Sequence, residues 1–180
     1  MAMAADVAAR QLIAYNRRAI ADFLDCFAPD VVLHDLTSDS VKLQGESFAQ
    51  RYGAVFEHSE ALHADVTARV TVAHAGAEWS YAIDFEQFSG LLAPVGGALD
   101  GSTGMSDQPA AADIVVMYEV NAADARISRL WATSDADGVG RRAEAARIQQ
   151  SAALSQCLEV VRRERGLPTA EALDVEAAIL

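Results

Sequence analysis

Cysteine, cationic side chains and long apolar runs are all scarce in this sequence. Cys26 and Cys157 are its only cysteines, too few for a disulfide framework and without the spacing of metal ligands, so a cytoplasmic location is expected. Lysine and arginine together number 14 against 26 aspartates and glutamates, which gives a formal net charge of −12. Phosphate groups are bound by clustered cations, so neither nucleic acid nor an anionic membrane is expected as a partner.

Membrane spans and cofactor motifs are also missing. No apolar run approaches the roughly 18 residues of a membrane span, and no basic segment followed by an apolar core marks a signal peptide, so neither is predicted. The four histidines show no metal-site spacing and no glycine-rich phosphate loop follows a strand, so neither a metal nor a cofactor is expected. What the chain does have is 52% hydrophobic residues, enough for the core of one domain.

The most informative stretch, residues 113–138, has the pattern of an antiparallel hairpin. Two β-rich runs, 114–120 and 126–134, flank the polar turn 121–124. Alternation gives each strand a largely apolar face, made of Ile114, Val116, Tyr118 and Val120 in the first and Leu130, Ala132 and Ser134 in the second. This apolar wall ends at Asp135, which is predicted either to cap the next helix or to act in catalysis.

The other predicted elements follow from the spacing of apolar residues and from turn signals. They are one helix at 6–27 or a pair broken near Asn16 (with Asp6 as N-cap), further helices after Gly45, at 140–165 and from Thr169 to the end, a short strand at 31–35, a long hairpin of 62–73 with 78–88, and a loop at 89–112. The 140–165 helix is predicted either to cover a pocket mouth or to pack on a partner.

Asp35 ends the short strand, on the same face as Val31 and Leu33. Proton abstraction next to a carbonyl needs a carboxylate whose pKa is raised by desolvation, together with a donor to the oxyanion, and Asp35 is one candidate. Its alternative role is to begin the turn that follows. Tyr15 is predicted either as a donor in the pocket or as a core residue with its hydroxyl at the edge.

Arg69 and the second strand of the long hairpin suggest an ion pair. Ser80, Ala82, Asp84, Glu86 and Phe88 share the more polar face of that strand. This face is predicted either to meet solvent or to pair with Arg69, in a weak surface ion pair with Asp84 or Glu86. His63 begins the hairpin and is placed at the pocket mouth.

The order of these elements resembles the nuclear transport factor two superfamily, which includes ketosteroid isomerases and SnoaL-type polyketide cyclases. The residues that carry the likeness are Tyr15-Asn16, 23–32, Gly45, 62–64, 83–86, 117–120, Arg126-Ile127 and Trp131. The resemblance implies an α+β domain over residues 1–138, in which a cone-shaped, curved antiparallel sheet and N-terminal helices enclose a pocket. Residues 139–180 would then form a C-terminal helical extension, and a homodimer would form through the curved sheet.

The resemblance also implies roles for particular residues. Asp35 matches the general base of ketosteroid isomerases, and Tyr15 the tyrosine that donates to the enolate oxygen. Val116 stands where those enzymes have a second donor, an aspartate. Asp135, four residues after Trp131, matches the acid–base aspartate of SnoaL-type cyclases.

The resulting hypothesis is a cofactor-free enzyme that cyclises, isomerises or dehydrates a small hydrophobic carbonyl compound, as in secondary metabolism. Asp35, Asp135 and Tyr15 are its candidate catalytic residues. The candidate substrate-binding residues are His63, Val116, Tyr118, Leu130, Ala132 and Phe56. Two alternatives stay open. One is a non-catalytic ligand-binding or dimerisation module, favoured by Val116, and the other is an epoxide hydrolase-like enzyme centred on Arg69.

Overall fold

The computed structural model describes residues 2–73, 78–94, 105–133, 143–167 and 174–179. In chain order the elements are α1 (Ala2–Asn16), α2 (Ile20–Asp25), β1 (Phe27–Asp35), β2 (Val41–Gln44), α3 (Glu46–His58), β3 (His63–Ala73), β4 (Trp79–Pro94), β5 (Met105–Asn121), β6 (Arg126–Ala132), α4 (Ala143–Arg165) and β7 (Asp174–Ile179). The strands form one curved sheet in the order β2-β1-β6-β5-β4-β3-β7. The predicted α+β architecture is confirmed.

The sheet is mixed rather than purely antiparallel. β1 and β6 run parallel, with Leu33 opposite Leu130 and Asp35 opposite Ala132, whereas the other neighbouring strands are antiparallel. Parallel partners need a long connection between them, and here that connection contains β2 through β5. The short strand and the 126–132 strand are therefore neighbours in space, although they are far apart in sequence.

Each face of the sheet packs against helices. We call the face with Ala82, Ile114, Val116, Tyr118 and Val120 the inner face; it packs with buried residues of α1, α2 and α3. The outer face carries Tyr81, Ile83, Val115, Met117 and Trp131 and packs with buried residues of α4. Alternate residues of β4 and β5 are therefore buried on opposite sides.

The prediction that one face of β4 meets solvent is wrong. Asp84 and Glu86 lie on the inner face and are 0% and 3% exposed. Their polarity is satisfied inside the protein, since Arg69 donates to Asp84 and the Tyr118 hydroxyl donates to Glu86. A polar residue at a strand position predicts solvent only when no internal partner is available.

The helix α1 starts earlier than expected and is fastened at both ends. It begins at Ala2, so Asp6 lies inside the helix and is not its N-cap. The break near Asn16 is confirmed, and there the Asn16 side chain both donates to and accepts from the backbone of Ala64, at 2.8 Å each. Near the other end, Arg69 Nη1 donates to the carbonyl oxygen of Ala5 at 3.0 Å. Both contacts tie α1 to β3.

The predicted loop at 89–112 is mostly strand. β4 continues to Pro94 and β5 begins at Met105, and the two remain paired through Leu91 with Ala110. The register shifts between Phe88 and Leu91, where Gly90 has a φ of +69°. The glycines favoured a loop, but backbone pairing tolerates Gly90 at a bulge. Residues 95–104 lie outside the described residues.

The helix α4 packs on the outer face of its own chain, away from the inner face, so its predicted place over the pocket mouth is wrong, while packing on a partner stays a prediction. Cys157 and Val161 are 0% exposed against the sheet, and Gln156 Nε2 donates to the carbonyl oxygen of Leu36 at 2.6 Å. At the end of the helix, Arg165 Nη2 contacts Glu119 Oε2 at 2.6 Å. A homodimer through this face would have to accommodate α4, and the homodimer stays a prediction.

The last element differs from the predicted short helix. Residues 174–179 form β7, which pairs antiparallel with β3 and places Val175 opposite Val72. The C-terminal extension therefore contributes a helix to the outer face and a strand to the edge of the sheet.

Replacing Gly90 with alanine is expected to destabilise the protein by about 2 kcal/mol or more, because the residue has a left-handed backbone in close contact with another segment. An added Cβ would lie 1.9 Å from the carbonyl oxygen of Ala61. Gly53→Ala is the matched control: it lies inside α3 with open space around its Cβ position, so a gain of about 0.5–1 kcal/mol is expected. Equal urea midpoints for the two variants would contradict the bulge.

Burying a charge under α4 is expected to detach the helix. Cys157→Asp places a carboxylate at a position that is 0% exposed, at a cost of about 3 kcal/mol or more. Glu159→Asp, on the exposed side of the same helix, introduces the same residue without that burial and should cost little. Urea unfolding measures both. Comparable small losses would mean that α4 does not pack on the sheet.

Candidate functional site

A small cavity of about 50 Å³ lies between the helices and the inner face of the sheet. Its apolar wall consists of Phe23, Phe27, Leu33, Phe88, Ile114, Val116, Leu130 and Ala132. Its polar groups come from Gln11 and Tyr15 of α1, Tyr52 of α3, Glu86 of β4 and Tyr118 of β5. The cavity therefore combines an apolar wall with a few hydrogen-bonding groups, as ligand-binding sites do.

Glu86 is the buried acid of this cavity. Its Oε1 accepts a hydrogen bond of 2.7 Å from the Tyr118 hydroxyl. Burial raises the pKa of Glu86 to about 8, and the neighbouring Asp84 carboxylate adds to the rise, while the Tyr118 hydrogen bond and the Arg69 charge oppose it. Near neutral pH both the protonated and the ionised form are accessible, which suits a group that takes up and returns a proton.

The three tyrosines of the cavity keep their protons. Burial raises the pKa of Tyr15, Tyr52 and Tyr118 above that of an ordinary phenol, and the nearby Glu86 charge raises all three further. Each hydroxyl can therefore act as a hydrogen-bond donor throughout the physiological range. Tyr118 uses its proton on Glu86.

Arg69 and Asp84 form a buried, two-pronged ion pair beside Glu86. Arg69 Nε and Nη2 each donate to one oxygen of Asp84 at 2.6 Å. The predicted pairing is confirmed, but the predicted surface location is wrong, since the two side chains are 9% and 0% exposed. Removing either partner would leave a buried charge uncompensated.

Gln11 is the one polar side chain of the cavity wall that the structure leaves with an unsatisfied buried atom. It lies on the inner side of α1 and is 6% exposed. Its Oε1 has no hydrogen-bond partner among the described residues. An unpaired buried carbonyl oxygen costs free energy, so it indicates a place where something else binds.

Asp35 lies at the end of β1 as predicted, but in a different environment. Its Oδ1 accepts hydrogen bonds from the backbone and side chains of Thr37 and Ser38, and Lys42 Nζ is 3.8 Å from Oδ2. Burial raises the pKa of Asp35, but these hydrogen bonds outweigh it and hold the pKa below its ordinary value. The prediction of a raised pKa is wrong, and the turn-forming role is the one that the structure shows.

The remaining predicted site residues divide into three groups. Tyr15, Val116, Tyr118, Leu130 and Ala132 line the cavity, although their contact with a substrate stays a prediction.

Phe56 and His63 are placed elsewhere. Phe56 packs behind Tyr15, with ring centroids 5.4 Å apart, and is not part of the cavity wall. His63 is exposed at the start of β3 with its Nε2 3.2 Å from Asp65 Oδ1, so its predicted place at the pocket is wrong. Asp135 lies outside the described residues.

Glu86 was missed because its polarity was taken as a sign of solvent or of an ion pair with Arg69, and Gln11 and Tyr52 carry no signal in the sequence that sets them apart from other helix residues. A signal was present for Glu86. Both faces of the 79–88 strand carry large apolar residues, such as Phe85 on one and Phe88 on the other. That pattern indicates a strand covered on both sides, where an acid must be buried.

Metal and membrane sites are not seen in the described part of the chain. Across residues 2–73, 78–94, 105–133, 143–167 and 174–179, no group of three or more histidine, cysteine, aspartate or glutamate side chains is placed to hold a metal ion. Within the same ranges, every helix is too short or too polar to cross a bilayer.

Comparison with known proteins gives structural likeness only. No protein-family model matches the sequence, and no curated protein matches it either. A candidate aromatic ring hydroxylase from Novosphingobium aromaticivorans matches with a TM-score of 0.55 and 12% identity, over 72% of this chain and 85% of that one.

Two further solved structures match at a similar level. A candidate polyketide cyclase from Silicibacter sp. has a TM-score of 0.50 and 20% identity, over 76% of this chain and 94% of that one. A candidate SnoaL-like polyketide cyclase from Shewanella denitrificans has a TM-score of 0.50 and 14% identity, over 74% and 90%. At these identities the likeness concerns the fold and not the activity. The chain has a fold similar to that of these SnoaL-like structures, as the sequence predicted.

Proposed function

We propose that this chain is an enzyme that transfers a proton on a small hydrophobic carbonyl compound, with Glu86 as the acid–base group. The observation that carries the proposal is a carboxyl group that is 3% exposed, lines an apolar cavity and has its pKa raised to about 8. Keeping such a group in the core is costly, and groups of this kind cluster at functional sites. The cyclases and hydroxylases among the similar structures support a small-molecule enzyme.

The proposed step is the same for cyclisation, isomerisation or dehydration. Ionised Glu86 takes a proton from the carbon next to the carbonyl and returns it to another atom of the substrate. Tyr15, whose hydroxyl stays protonated, donates to the oxygen on which negative charge develops. The Tyr118 hydrogen bond holds the Glu86 side chain in place. Asp135 remains a candidate for a second acid–base group.

The size of the cavity limits what it holds as it stands. A cavity of about 150 Å³ accommodates benzene, whereas the volume here is about 50 Å³. Only a group of a few heavy atoms fits without movement of the surrounding rings. This small volume also favours the alternative of a non-catalytic binding module, in which the same cavity holds a ligand without reaction.

The epoxide hydrolase alternative is less well supported. It needs Arg69 in contact with the substrate. Arg69 does not belong to the cavity wall. Its Nε and Nη2 donate to Asp84, and its Nη1 donates to the carbonyl oxygen of Ala5.

Replacing Glu86 with glutamine is expected to abolish proton exchange on a small ketone. The assay follows hydrogen–deuterium exchange at the carbons next to the carbonyl of acetone, which has only four heavy atoms, in D₂O by proton NMR. Glutamine keeps the acceptor for Tyr118 but cannot take a proton, so a loss of about 100-fold or more is expected. The wild-type rate should rise with pH and level off above about pH 8 as Glu86 ionises.

Two further variants complete this experiment. Asp35→Asn should leave the exchange rate within about twofold, because its carboxylate has a lowered pKa and lies in a turn. Asp135→Asn shows whether a second acid takes part. Exchange that survives Glu86→Gln, or binding of the ketone with no exchange by the wild-type protein, would contradict an acid–base role.

The raised pKa of Glu86 also predicts a pH-dependent stability. A glutamate of the unfolded chain has a pKa of about 4.5, whereas the folded protein holds the proton to about pH 8. The contribution of Glu86 to the free energy of unfolding is therefore largest at acidic pH and is lost as the pH rises toward about 8. Glu86→Gln lacks this loss, so its melting temperature should exceed that of the wild type at about pH 9 and match it at about pH 5. A constant difference at both values would mean that the pKa of Glu86 is ordinary.

A further inference from the structure

Gln11 is a polar residue on the buried face of α1, where an apolar side chain would be expected. The buried face of α1 is formed by Ala4, Val7, Ala8, Gln11, Ala14 and Tyr15, spaced at three and four residues. Gln11 is 6% exposed there, and its Oε1 lacks a partner among the described residues. Leaving that oxygen unpaired costs free energy, a cost that a leucine at the same place would avoid.

The unpaired oxygen belongs to the cavity, whose wall includes Gln11 together with Glu86 and Tyr118. The other polar groups of the wall are donors: the phenols of Tyr15 and Tyr52 stay protonated, and so does Glu86 below about pH 8. Gln11 Oε1 is thus an acceptor among donors. A ligand whose only polar group is a carbonyl would accept hydrogen bonds from these donors and leave Gln11 Oε1 without a partner.

The helix that carries Gln11 is fixed on both sides of it. Arg69 holds the carbonyl oxygen of Ala5, and Asn16 is hydrogen-bonded in both directions to the backbone of Ala64. Gln11 lies between these two fastenings, so its backbone cannot shift to give the side chain another partner. The acceptor is held ready before a ligand arrives, which lowers the cost of binding.

From this arrangement we infer that the substrate carries a hydroxyl group next to its carbonyl, and that the hydroxyl donates to Gln11 Oε1. The substrate class is then a small hydroxyketone with an apolar remainder. This inference rests on the proposed function for the carbonyl, but Gln11 acts in recognition and takes no proton itself.

The test uses two ketones of equal size, hydroxyacetone and butanone, which differ by a hydroxyl in place of a methyl group. Their dissociation constants are measured by NMR titration of the full-length protein. The wild type is expected to bind hydroxyacetone about tenfold more tightly, which corresponds to about 1.4 kcal/mol for one hydrogen bond to a buried acceptor. In Gln11→Leu the ratio should fall to about one through weaker binding of hydroxyacetone.

Two controls separate the possible outcomes. Glu86→Gln should keep the preference for hydroxyacetone while losing proton exchange, so the recognition and the chemistry fail independently. The melting temperature of Gln11→Leu should rise, since the unpaired oxygen is gone; this also shows that the variant folds. A rise in melting temperature with an unchanged binding ratio would mean that Oε1 meets only water, and the inference would be overturned. Equal binding of the two ketones by the wild type, or no binding of either, would also overturn it.

Discussion

One guanidinium lies near two buried carboxyl groups on the inner face of β4 and pairs with one of them. Arg69 gives two hydrogen bonds to Asp84 and a third to the backbone of α1, while Glu86, two residues further along the strand, accepts a hydrogen bond from the hydroxyl of Tyr118. Two adjacent carboxylates cannot both be ionised cheaply in a dry interior, and the one with the cation keeps the charge. Burial, with the added effect of the Asp84 charge, thus leaves Glu86 holding its proton below about pH 8. The same three hydrogen bonds fasten β3, β4 and α1 together, which links the packing of the domain to the chemistry of its cavity.

Much of the fold could be predicted because it follows from local patterns. The hairpin at 114–132 is marked by alternation on either side of a polar turn, and its inward residues Val116, Tyr118, Leu130 and Ala132 do lie on the cavity wall. The break between the first two helices was also visible, at Asn16. Alternation does not show which face of a strand is buried, because that depends on which distant element packs against it.

The candidate site was harder to predict for a physical reason. Whether a carboxyl group is a base or a structural acceptor depends on the groups around it. At Asp35 those groups are the next residues, Thr37 and Ser38, so the turn could be anticipated from the sequence. At Glu86 they come from β3 and β5, through Arg69 and Tyr118, and only the folded register brings them together. The side chain that was assigned to chemistry shapes a turn, and the one assigned to solvent lies in the cavity.

The two faces of the sheet have different tasks. The inner face encloses the cavity, whereas the outer face is closed by α4 and by the charges of Glu119, Arg129 and Arg165 at its end. Because hydrogen bonds hold α1 to β3 near each of its ends, α1 forms a rigid wall of the cavity. A ligand too large for the present volume must displace aromatic rings of the wall, where Tyr52 of α3 contacts Phe23 and Phe48, and Phe88 of β4 contacts Tyr15. The size of molecule that the cavity admits therefore depends on how readily these packed rings move.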